Sequence, residues 1–162
     1  MIGHALALVG ATFAGVSVCV WLLSGVVPWY LLPDVPFLAV VYAGLFLPGP
    51  AGLLGALAAA FLREIVTSAP SWSFFLSSLA VYFLAREIST RLFVRAEAIV
   101  LATVAVLMAV ESFSLASLVT AVGGRPFRPL WIGEEAVRIA WTSLLAVPVY
   151  LGFSARWLRV RE

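Results

Sequence analysis

The sequence contains no lysine, a single histidine (His4) and a single cysteine (Cys19) among 162 residues, and only 11% of it is charged. Without lysine there is no Gly-rich phosphate loop of the type that ends in Lys-Ser/Thr. One cysteine cannot form an internal disulfide, and one cysteine and one histidine far apart in the chain supply no metal-ligand cluster. Serines are plentiful, but His4 lies at the extreme amino-terminal end and no Ser-His-Asp arrangement emerges. The ten basic residues are all arginine, the net charge is +2, and the arginines form no dense patch. That excludes the electrostatic footprint of a nucleic-acid-binding protein. No enzyme signature and no cofactor motif is found.

What is present in abundance is apolar surface: 64% of the residues are hydrophobic, and the mean hydropathy is +1.11. A water-soluble domain is roughly 45–50% apolar and about 25% charged. This chain has too few polar residues to coat a core of that kind, so the bilayer is its expected solvent. A spanning helix takes ~20 residues, and a chain of this length with short loops accommodates five or six. The expectation is an all-α, polytopic membrane protein. It is one domain over residues 1–162, a compact bundle of six transmembrane helices with no room for an extramembrane catalytic domain.

The first apolar run covers about Ile2 to Val27. It lacks a basic flank and a clear small-residue cleavage site, so it reads as a retained helix and not as a signal peptide. Trp29 and Tyr30 follow it, an aromatic pair suited to a membrane interface. Pro33 and Pro36 flank Asp34 and break the helix. Asp34 is placed to cap the next helix, with Pro36 in its first turn. That second helix, about Val35 to Leu47, rises only about 20 Å against a ~30 Å hydrocarbon core. It turns at Pro48-Gly49-Pro50 into a third helix, about Ala51 to Val66, so the two form a tight hairpin. A fourth helix spans about Trp72 to Ile88 and a fifth about Ala96 to Val122. A sixth spans about Glu134 to Leu158, with two acids in its first turn and Pro148 expected to kink it.

Arginine counts in short loops give the orientation. Arg86, Arg91 and Arg95 in the 4–5 segment and Arg156, Arg159 and Arg161 in the tail share one side. Arg125 and Arg128 lie on the other, joined by Arg63 and Arg138 if those sit near helix ends. The balance places both termini in the cytoplasm. Small residues recur at four-residue spacing (Gly10 with Ala14, Ala11 with Gly15, Gly52 with Ala56, Ala56 with Ala60), which permits close helix packing.

Charged groups within apolar helices are the candidate functional residues, since each costs roughly 2.5–3.5 kcal/mol at a helix centre on insertion scales. Arg63 and Glu64 lie late in the third helix. Either they contact another helix, a partner or a ligand, or they sit at the interface, where Arg snorkels and Glu meets water. Glu111 lies deep in the fifth helix. It reads as a structural hydrogen bond within the bundle ahead of a catalytic group, with Ser112, Ser114 and Ser117 as local partners. Asp34 is most simply a helix cap. With Arg63, Glu64 and Glu111 it completes the set of candidate intramembrane polar or partner-binding residues.

Several of these segments resemble a known family. Pro33-Asp34-Val35 opening a helix, followed by Val40-Val41-Tyr42-Ala43-Gly44-Leu45, is similar to the Pro-Asp-Leu start and aromatic-plus-Gly stretch of the bacterial rod-shape protein family MreD. Gly52-Leu53-Leu54-Gly55-Ala56 and then Phe61-Leu62-Arg63-Glu64-Ile65 resemble that family's Gly-rich third helix with its terminal acid. Thr67-Ser68-Ala69-Pro70 and the stretch from Tyr82 to Leu92 continue the likeness, which covers about residues 30 to 120. The sequence departs from the pattern at Glu64, where the family usually has Asp.

The resemblance implies a fold similar to the substrate-binding subunits of energy-coupling-factor vitamin transporters. It also implies a non-catalytic inner-membrane scaffold of the peptidoglycan-synthesising elongation machinery. Such a scaffold binds an MreC-like bitopic partner and works with an MreB-like actin filament, a RodA-like glycosyltransferase and an elongation-specific transpeptidase. The alternative is a vitamin-binding transporter subunit, which needs several convergent polar groups around a ligand.

Overall fold

In a computed structural model the chain is described over residues 2–19, 25–47, 49–66, 72–91, 97–123 and 129–158. The described residues form six α-helices, α1 (Ile2–Ser17), α2 (Val35–Phe46), α3 (Gly49–Val66), α4 (Ser73–Arg91), α5 (Glu97–Gly123) and α6 (Pro129–Leu158), with a 3-10 turn at Trp29–Leu31 and no strand. The all-α class expected from composition is what is observed. Trp29–Phe46 and Glu97–Leu118 are long and apolar enough to cross a membrane, and Leu6–Ser17 is a shorter apolar helix.

The second helix sits at the centre. Its sequence is apolar on every side, and a helix of that kind has no face to give to water. Pro36 through Leu45 are all buried, because α1, α3, α4, α5 and α6 each pack against α2. The Pro33-Asp34-Val35-Pro36 break predicted at its start is present, and the Asp34 carboxylate accepts the Phe37 backbone N–H at 3.0 Å. Pro36 lies in the first turn, where its missing N–H is not needed. At the far end the chain reverses through Gly49, whose φ of +52° is accessible to glycine without steric cost.

Close approach on α2 is set by Gly44. A Cβ built there would lie 2.7 Å from the Ala85 Cβ and 2.8 Å from the Tyr82 carbonyl oxygen of α4. Sixth-helix packing is fixed by Tyr150, whose hydroxyl donates to the Leu38 carbonyl at 2.7 Å. Its ring lies 5.3 Å from that of Tyr42 and 5.7 Å from that of Phe46.

Two expected boundaries are corrected. The regular part of α1 ends at Ser17, and Gly25 and Val26 lie in a turn, so the run to Val27 is not one helix; residues 20–24 lie outside the described ones. The sixth helix begins at Pro129 and not at Glu134. Proline is favoured at a first helical position, and Gly133 is carried within the helix. Glu134 and Glu135 are therefore in its second turn and do not complement its dipole. α6 also runs on through Pro148. Arg95, Arg125, Arg128, Arg159 and Arg161, the side chain of Arg156 and the loop Thr67–Pro70 lie outside the described residues, as does the His4 side chain.

The packing at Gly44 gives a direct test. Gly44→Val must push α4 away from α2 at a backbone carbonyl, and should cost about 1–3 kcal/mol in detergent unfolding. Gly10→Val, whose added Cβ meets nothing within 4 Å, should leave the unfolding midpoint unchanged.

Candidate functional site

Charge enters this bundle at a few positions, and the fold gathers five of them. Arg63 comes from the last turns of α3 and is only 5% exposed. Its Nη2 donates to Asp34 Oδ2 at 2.6 Å and its Nη1 to Glu111 Oε1 at 2.6 Å, with Ser78 Oγ at 3.2 Å. The guanidinium carbon lies 5.4 Å from the Phe37 ring centroid and 4.9 Å from that of Phe74. One cation is thus held between two carboxylates and beside two aromatic rings, the arrangement that lets a guanidinium remain charged away from water.

The second cation is Arg138. Its Nη2 donates to the same Asp34 Oδ2 at 2.6 Å, while its Nη1 lies 3.5 Å from Glu135 Oε1. The Arg138 guanidinium also sits 5.9 Å from the Trp29 ring. Serines and a threonine complete the network. Ser77 donates to Glu111 Oε1 at 2.7 Å and Ser112 to Glu135 Oε1 at 2.6 Å. The Asp34 backbone N–H points at Thr142 Oγ1, 3.4 Å away. Asp34, Glu111 and Glu135 are 6%, 3% and 5% exposed.

The cluster therefore ties the start of α2 to α3, α4, α5 and α6. It lies where α2 and α4 begin and α3 ends, whereas the α5–α6 hairpin continues past it. From Glu111 to the end of α5 is a rise of about 18 Å, and from Pro129 to Arg138 about 14 Å, at ~1.5 Å per residue. Two guanidiniums face three carboxylates, so the network carries one formal negative charge in excess. Chemically it is a fastening. Both oxygens of Asp34 are occupied by donors of the fold, and a guanidinium cannot act as a base. Among the described residues no group of His, Cys, Asp and Glu is placed to hold a metal ion.

Of the four residues singled out in the sequence, Asp34, Arg63 and Glu111 are brought together, and Glu64 is not. The Glu64 carboxylate turns to the amino-terminal end of α4, accepting the backbone N–H groups of Trp72 at 2.6 Å and Phe75 at 2.9 Å. It supplies from another helix the cap that α4 lacks in its own sequence, next to a Trp72 held at φ +72°. Such capping offsets the unpaired donors of a first turn.

Arg63 and Arg138, both counted as arginines near helix ends, lie inside the bundle. The serines near Glu111 are not its partners. Ser114 and Ser117 bond back to their own helix at Val110 and Phe113, a local option always open to a helical serine, and Ser112 serves Glu135. Sequence reading passed over Glu135 and Arg138 as site residues. Their three-residue spacing within the apolar sixth helix was the available signal, hidden by starting that helix at Glu134.

No family model matches this chain, and neither does any curated protein or solved structure.

Removing one member of a buried ion pair strands the other, at a cost of about 3–5 kcal/mol. Arg63→Met should cost that much in detergent unfolding. Glu135→Gln should stay within about 1 kcal/mol, because the amide oxygen still accepts from Ser112 and the excess negative charge is removed. Glu64→Ala should cost about 1 kcal/mol, as the loss of a helix cap does.

Proposed function

We propose that this protein is a non-catalytic, multi-pass scaffold of the bacterial inner membrane, of the MreD kind, which serves the cell-elongation machinery by binding an MreC-like bitopic partner. The observation that carries the reading is the internal pairing of the ion cluster. Asp34, Arg63, Glu111, Glu135 and Arg138 pair with one another across four helices. They act as positioning residues, and the outer faces are left apolar.

Those faces carry large exposed side chains: Phe61 on α3, Phe83 on α4, Phe113 on α5 and Trp141 on α6. In water such surfaces drive aggregation, while in a bilayer they meet lipid or a partner's membrane helix. The residues that carry the MreD resemblance, from Pro33 to Leu45 and from Gly52 to Ile65, form the central helix and the helix that brings Arg63 to it. All six helices are read as spanning, the shorter α2 and α3 within a locally thinned bilayer. With Arg63 and Arg138 inside the bundle, the remaining arginines divide six to two, with Arg86, Arg91, Arg95, Arg156, Arg159 and Arg161 facing Arg125 and Arg128. The excess belongs in the cytoplasm together with both termini. An MreB-like filament, a RodA-like glycosyltransferase and an elongation-specific transpeptidase would join through the partner.

The vitamin-binding alternative needs convergent polar groups with capacity to spare. A cavity between α1, α2 and α6 is lined by Leu8, Leu38, Ala39 and Leu145 among others. Two of its hydroxyls are already bonded, Thr12 to the Leu8 carbonyl and Tyr150 to that of Leu38. That chemistry favours an apolar occupant.

Affinity purification from membranes in mild detergent distinguishes the two readings. A co-purifying protein with one membrane span and a periplasmic coiled coil is the expected result. Recovery with cytoplasmic ATPases and a bound vitamin would support the transporter reading and overturn this one.

A further inference from the structure

The α1–α6 cavity has about 310 Å³ of space, roughly twice the ~150 Å³ hollow that accommodates a benzene ring. It exists because α1 and α6 both pack on α2 without, among the described residues, packing on each other. Val35, Leu38, Ala39 and Tyr42 form its floor, and its rim is exposed at Ala11 and Val149. One end lies at Pro33, beside Asp34 of the ion cluster.

On the sixth helix, Arg138, Thr142, Leu145 and Val149 follow one another at spacings of four and three, a single helix face. Arg138 therefore stands in line with the groove, about 10 Å above Leu145 at ~1.5 Å per residue. Its guanidinium offers five N–H groups, and among the described residues it makes one hydrogen bond, from Nη2 to Asp34. Nη1 reaches only to 3.5 Å from Glu135, longer than the ~2.7–2.9 Å of a charge-assisted bond. The side chain is 23% exposed, and Trp29 beside it is 47% exposed.

We propose that this groove holds one acyl chain of a zwitterionic phospholipid, with its phosphate on the outer edge of Arg138. The apolar walls exclude a polar occupant, and the unused N–H groups call for an acceptor at one end only, which is the layout of a lipid. The network's excess carboxylate selects the headgroup. A lipid of net negative charge meets an already negative cluster, whereas one carrying its own ammonium adds no net charge. The inference rests on the membrane placement proposed above but not on the scaffold role.

Native mass spectrometry of the protein extracted from vesicles of equal phosphatidylethanolamine and phosphatidylglycerol provides the test. One phosphatidylethanolamine should remain bound per chain at detergent levels that strip bulk lipid. Ala11→Phe, which fills the groove from an exposed position, should lose it. Arg138→Lys, which keeps a cation on Asp34 but not the free guanidinium edge, should weaken retention roughly tenfold.

The proposal is overturned by retention of phosphatidylglycerol at an equal or higher level, by retention unchanged in Ala11→Phe, or by no retained lipid. A helix of another protein occupying the groove would overturn it too. Failure of the protein to enter vesicles at all would instead contradict the membrane placement.

Discussion

Arg63 holds two carboxylates, Asp34 and Glu111, that come from helices on either side of it, and most of the bundle's geometry can be traced to that contact. An isolated charge in an apolar interior is expensive, so each member of the set constrains where the others can go. Asp34 can reach Arg63 only if the Pro33–Pro36 break sets the start of α2 at that level. Glu111 can reach it only if α5 runs beside α4, whose Ser77 and Ser78 donate to or accept from the same groups. Arg138 then draws α6 onto the same Asp34 oxygen. Buried ion pairs contribute little net stability over a well-packed apolar core. Here their value is in register: a helix rotated or slid by one turn leaves a charge without a partner.

The apolar packing and the ion cluster therefore divide the task. Gly44 and Ala85 let α4 approach α2 closely, and the Tyr42–Phe46–Tyr150 group fills the far end of the bundle. Nonpolar contacts of this sort hold helices together but tolerate sliding. The cluster at the opposite end of α2 removes that freedom. Because its charges pair with one another, the exposed faces of α3, α4, α5 and α6 remain free to meet a hydrophobic environment, the premise of the proposed scaffold role.

Much of this was legible in the sequence. Prolines and Asp34 marked the start of α2, the Pro48-Gly49-Pro50 turn marked the hairpin, and the ends of α3, α4 and α5 followed from loop residues to within a few positions. Local chemistry fixes such features. Asp34 was read correctly as a cap, but its second oxygen serves two arginines from α3 and α6, which no local pattern reveals. Glu111 stood out as a charge in a long apolar run, yet its neighbouring serines were poor guides to its partners, because a helical serine bonds most easily to its own backbone. Glu64 and Arg63 are adjacent in sequence and so point to different faces of α3, one to the cap of α4 and the other to the cluster. Glu135 and Arg138 were missed because helix α6 begins earlier than its acids suggested.

The central claim is that Arg63 and its carboxylates act as one unit, and a double-mutant cycle measures that most directly. Unfolding in detergent would be compared for the native protein, Arg63→Met, Glu111→Leu and the combined variant. The account predicts a coupling of about 2 kcal/mol or more, with the combined variant losing far less than the sum of the single ones. Simple additivity of the two losses would contradict it.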